Sequence, residues 1–212
     1  TLGLEDYEAF LHEPATAERF DNLVAYDGKD PVGIGKSLAT FSAFAEGVSL
    51  YSAFAVLYSF QMRNLLKGVG QQMKWSVRDE SLHSKMGCQL FRHMCSQIPG
   101  LKEECKEHVY DAALTMHNAE MTYISKLFEM GDIEGITEYD LKHFIKKRTG
   151  DKIQELGYKA EGKFKFEYDQ KSIDKMAWFD HLTGGHTHTD FFAIRPTDYS
   201  KANEGEDFED VW

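Results

Sequence analysis

Cysteine is scarce in this chain. Cys88, Cys95 and Cys105 are the three among 212 residues, and they lack the paired spacing of a secreted disulfide framework. They read as reduced thiols of a cytoplasmic protein. Positive charge is also in deficit: 24 Lys and Arg face 35 Asp and Glu, and the formal net charge of -11 argues against nucleic acid as a partner. No glycine-rich phosphate loop, internal repeat or Ser/His/Asp grouping stands out. No signal-peptide pattern opens the sequence, and its first residue is Thr1. Removal of an initiator Met, or processing at a splice or intein junction, would each leave that residue.

What is present is ordinary in bulk and unusual in arrangement. Charged residues make up 28% and hydrophobic ones 42%, as in a single soluble domain with a real core. Short helical patterns over 2–11 and 15–26 break at Pro14, and a turn follows at Asp27-Gly28-Lys29-Asp30-Pro31. Long helices are then predicted over 33–66, 70–97, 101–130 and 137–157. Gly68 and Gly70 mark the first break, Pro99-Gly100 the second and Gly131 the third.

Residues 38–60 are apolar or small nearly all round, with Glu46 as their single charged residue. That length could cross a bilayer. The mid-span Glu, several Ser and no Lys/Arg bias between the ends favour a core helix of a bundle, with no membrane involved. Glu46 then has no solvent-facing side to escape to. In the next helix Val77, Glu80, His83, Gly87, Leu90 and Met94 recur at three- and four-residue steps and share one face, predicted to be buried. Glu80 and His83 are neighbours on that stripe. Glu-x-x-His arises often by chance, but beside a buried lone Glu it gains meaning. Inward-facing ionisable groups need a partner, and a metal ion supplies one. Two Glu and a His suit iron or manganese rather than a thiolate-type centre.

The third helix carries His108, His117 and Glu120, and the polar neighbours Asp111, Asn118 and Thr122 predict a solvated role, or one in a layer behind the ligands, for His117 and Glu120. The fourth opens on Thr137 with Asp140 three residues on, a capping-box-like pair. Its Lys146-Lys147-Arg148 run reads as a solvated face, with a partner contact as the second reading. Residues 162–168 are weakly extended in pattern, 172–182 form one more short helix, and His186 and His188 sit in a loop-like stretch. Residues 190–212 have little periodicity. Their acidic end, with Phe208 and Trp212, resembles segments that order on binding.

Residues 45–54 (AEGVSLYSAF), with Arg78-Asp79-Glu80-Ser81-Leu82-His83 beginning so that Glu80 falls 34 positions after Glu46, resemble the second half of a class I ribonucleotide reductase small subunit. The similarity continues through Phe144 to Tyr158 and into the tail. It implies an all-α, ferritin-like helical bundle that is partial here and completed by another chain. Residues 1–182 would be the helical half-domain and 183–212 a flexible tail docking the large subunit. The family's other carboxylates, its first Glu-x-x-His, its radical-bearing residue and an upstream Trp are not in this sequence. An N-terminal half of the small subunit is therefore expected as a partner, alongside a second copy of the assembled subunit.

By the same resemblance, Glu80 would bridge two metals of a di-iron or iron/manganese centre shared with that other chain, while Glu46 and His83 hold the second metal. Asp79 would orient the other half's His and lie on the electron path. Leu50, Tyr51 and Phe54 would line the metal pocket. Tyr199, in Phe192-x-x-Arg195-x-x-x-Tyr199, would pass the radical to the large subunit, where ribonucleotides become deoxyribonucleotides. An alternative is self-pairing: two copies bring four Glu and two His, the set of a symmetric di-metal carboxylate oxidase or metal-handling ferritin-like protein.

Overall fold

Apolar residues at helical spacing dominate the chain, and helices are what it forms. The computed structural model of the protein describes residues 29–129 and 131–183. The short helices expected over 2–11 and 15–26 lie outside them, as do His186, His188, Tyr199 and the rest of the expected tail. The described residues contain no strand, only an isolated bridge between Ile133 and Ile136.

The first rod runs from Pro31 to Met62 in three parts. Helix α1 (Pro31–Leu38) starts where Asp30 accepts a hydrogen bond from the Gly33 amide at 2.7 Å, with Pro31 in the first turn, where its missing N–H costs nothing. It passes into a π-helical segment, Ala39–Ser49, and then into α2, Tyr51–Met62. The sequence pattern predicts a regular helix here, so the π segment is a difference. π geometry is uncommon and usually lasts a single turn. Its small residues, Ala39, Ser42, Ala43, Ala45, Gly47 and Ser49, are all buried and let neighbouring helices come close to its wider coil.

The break after the first rod also differs from expectation. It lies not at Gly68 and Gly70, which are inside the next helix, but at Arg63 to Leu66. Asn64 and Leu66 both take positive φ there and turn the chain. Helix α3 follows (Lys67–Gln97), then α4 (Leu101–Phe128), α5 (Glu138–Glu155), a 3-10 turn at Gly162–Phe164 where an extended stretch was expected, and α6 (Gln170–Thr183). Helix α5 begins as its sequence predicts: the Thr137 hydroxyl accepts from the Asp140 amide at 3.0 Å.

The π segment is the hub, packed by α3, α4 and α5 as well as by α1. Ala43, Phe44, Val48, Phe91, Val109, Ala113, Leu141 and Ile145 form the core around it, all essentially inaccessible to water. Each fully buried Phe or Leu of this kind contributes on the order of 2 kcal/mol. An 18-residue window of the first rod is apolar enough to cross a membrane, but 61% of it is buried inside the protein, as a core helix would be. Helix α6 closes one side through Phe179, whose ring meets those of Tyr51, Tyr58 and Phe144 edge-on at 6.0, 6.3 and 5.4 Å.

Candidate metal centre

Two rods bring the three sequence-predicted ligands together. Glu46 projects from the π segment, and Glu80 and His83 from α3. One donor atom from each lies within 4.8 Å of the other two. His83 Nδ1 is 3.5 Å from Glu80 Oε2, and His83 Nε2 is 3.5 Å from Asp79 Oδ1. Burial, then the nearby Glu80 charge, pushes the Glu46 carboxyl above its usual range, and His83 opposes this. Two carboxylates facing each other beside an imidazole carry excess negative charge that a cation would neutralise. The donor set therefore fits the hard, oxygen- and nitrogen-preferring metal inferred from the sequence.

The stripe on α3 is not buried as predicted. Val77 is buried, but the Glu80 side chain is 26% exposed, His83 49% and Asp79 65%, and Leu90 is exposed. The buried face of α3 is rotated from it and runs through Gly70, Val77, Ser84, Cys88 and Phe91. The three donors sit at the border of the core, partly open to solvent. Exposed apolar residues flank them on both rods: Ile34, Phe41, Leu50 and Leu57 on the first, Leu82, Met86 and Leu90 on α3.

The other expected pocket residues divide. Tyr51 is buried, with its hydroxyl 2.6 Å from Ser81 Oγ, and Phe54 is partly buried with its ring 5.7 Å from that of Tyr51. Leu50 is exposed. Tyr199 lies outside the described residues.

Sequence reasoning misplaced several polar residues. His117 and Glu120 are buried, which excludes the solvated reading of them; the Ser52 hydroxyl donates to the Glu120 carboxylate, and the His117 ring packs on Phe166 at 4.6 Å. Burial pushes the His117 imidazole down to about 4. Arg148, expected on a solvated face, turns inward. Its Nε and Nη2 donate to the Gly47 carbonyl at 3.2 and 3.1 Å, and its guanidinium lies 3.3 Å over the Tyr51 ring. The clue was in the spacing: Leu141, Phe144, Ile145, Arg148, Thr149, Lys152 and Ile153 follow helical steps, so the cation shares the apolar face.

Gly47, directly after Glu46, is needed for close approach. A β-carbon there would lie 2.7 Å from both Lys152 Cε and Ser84 Oγ. The three thiols are free, as the lack of paired spacing implies; burial raises Cys88 and Cys105 to about 11, which keeps them protonated.

Comparison with known proteins follows the same residues. The family model for the ribonucleotide reductase small chain matches residues 5–163. The probable ribonucleoside-diphosphate reductase small subunit 048L of Invertebrate iridescent virus 3 is 31% identical over 179 residues, covering 80% of this chain and 44% of that protein. The corresponding subunit 376L of Invertebrate iridescent virus 6 is 28% identical over 214 residues, covering 91% and 58%. The chain thus spans about half the length of these relatives. A crystal structure from Bacillus halodurans, named for a class I ribonucleotide reductase, superposes with a TM-score of 0.72 at 20% identity, over 84% of this chain and 63% of that one; it speaks for the all-α, ferritin-like fold. By the match to its family model over most of its length, the chain belongs to the ribonucleotide reductase small-chain family.

Proposed function

We propose that this chain is the C-terminal half of a ribonucleotide reductase small subunit, serving the reduction of ribonucleotides to deoxyribonucleotides in the cytoplasm. Glu46, Glu80 and His83 are half of a di-metal site, and the remaining ligands and the radical-bearing residue come from a companion N-terminal half. One observation carries this reading: three converging donors on an open border between rods, flanked by exposed Phe41, Leu57, Leu82 and Met86. Apolar surface around half-exposed ligands is a site built on one side only.

Iron, or iron with manganese, would supply one-electron oxidising power there when bound. The chain's own residues do the rest. Glu46, Glu80 and His83 would hold the metal on this side, Glu80 as the ligand shared between the ions and Glu46 and His83 on one of them. Asp79, on the exposed side of α3 with its carboxylate 3.5 Å from His83 Nε2, would orient the other half's His ligand and lie on the electron path. Leu50, Tyr51 and Phe54 exclude water once the second half covers them. Tyr199 and the acidic, aromatic end of the chain dock the large subunit and carry the radical to it. The assembled small subunit pairs with a second copy.

The test is metal content after gel filtration, for the full chain alone and assembled with the companion half. Two metals per assembled heterodimer and none retained alone is the expected result. Two metals per homodimer would establish the self-paired alternative, and no metal in either setting would overturn both.

A further inference from the structure

The carbonyls on either side of Glu46 are both held by side chains. Ser49 Oγ donates to the Ala45 carbonyl at 2.8 Å, and Arg148 donates twice to the Gly47 carbonyl. Gly47 lies near the C-terminal end of the π segment, where the rod passes into α2. Arg148 reaches this point from α5, a separate element 101 residues away in sequence. The same guanidinium covers the Tyr51 ring at 3.3 Å, and Tyr51 is tied to Ser81 of α3 at 2.6 Å. Gly47 adjoins Glu46, and Ser81 adjoins Glu80. One planar cation is therefore linked directly to the backbone beside Glu46 and, through the Tyr51 ring and hydroxyl, to the Ser81 side chain beside Glu80.

We propose that Arg148 is a positioning residue for the metal site: by clamping the Gly47 carbonyl and, through Tyr51 and Ser81, the adjacent turn of α3, it sets the separation of Glu46 and Glu80. This rests on those two carboxylates being ligands. Lysine would not substitute fully. An ammonium can neutralise one carbonyl, but it has neither the fork of two N–H groups nor the flat face that stacks on Tyr51. The π segment makes such a clamp useful, since a coil of uncommon geometry needs tertiary contacts to hold its register. Burial works against the guanidinium's charge, and Tyr51 and the carboxylates of Asp180, Asp151 and Glu155 act against that cost.

The experiment titrates Co(II) to millimolar concentration into the full chain. The background carries His186→Asn and His188→Asn, so that those two histidines do not compete. Three ligands hold such an ion weakly, and its visible bands report their geometry. Glu46→Ala should abolish the signal. Arg148→Met should weaken binding about tenfold or more and change band position and intensity at saturation. Arg148→Lys should fall between. Tyr51→Phe and Ser81→Ala, which keep the fold's packing, should change the bands in the same direction by less. A merely structural role would lower the thermal midpoint and leave the spectrum per bound Co(II) unchanged. Glu46-dependent binding with bands indifferent to Arg148, Tyr51 and Ser81 would overturn this inference alone. The absence of any Glu46-dependent binding would overturn the metal reading with it.

Discussion

Gly87 of α3 and Ser42 of the π segment pack so closely that a β-carbon on Gly87 would overlap the Ser42 side chain and its Cβ. This crossing brings the two ligand-bearing rods together, one turn of α3 beyond His83. Gly87→Ala is therefore expected to destabilise the protein by about 1–3 kcal/mol, the usual range for overpacking, although alanine is the better helix former. Urea unfolding of the two proteins measures the difference; a stabilised Ala variant would show that the rods part without cost.

Glu80→Ala should abolish metal loading of the assembled site with helix content by circular dichroism unchanged. The side chain is partly exposed and at the border of the core, so its loss leaves packing largely intact. Unchanged loading would contradict the ligand assignment.

His117 makes stability depend on acidity. Its folded value of about 4 lies below the ordinary imidazole value of 6.5, so between these limits the unfolded chain binds more protons than the folded one. Stability is thus lost as pH falls from 6.5 towards 4, by roughly 3 kcal/mol in all. Chemical unfolding across that range should show a slope that His117→Leu makes shallower, the remainder coming from groups such as His108 and His143 that burial also pushes down; an equal slope in the variant would place the acid sensitivity elsewhere.

Removing residues 208–212 should leave metal stoichiometry unchanged and weaken association with the large subunit. Calorimetric titration with intact and truncated protein tests it, and equal affinities would contradict the docking role.

Much of the fold was legible because helices advertise themselves by period. The C-terminal end of α3, the start of α5 at Thr137 and the span of α6 follow from spacing and caps. The convergence of Glu46, Glu80 and His83 was legible too, since a lone Glu in an apolar run and Glu-x-x-His in the next helix can be read in one dimension. The break at Asn64 and Leu66 was not, because neither residue type signals positive φ as a glycine does.

Sequence alone determined the helical class, the identity of the three converging donors and the family resemblance, all of which depend on residue type and local spacing. Only tertiary structure decided the π geometry at Glu46, the inward turn of Arg148, the burial of His117 and Glu120, and the half-exposure of His83. Each of these depends on what lies opposite, and the same 3.6-residue pattern is compatible with a neighbour, a polar partner or open water on the far side.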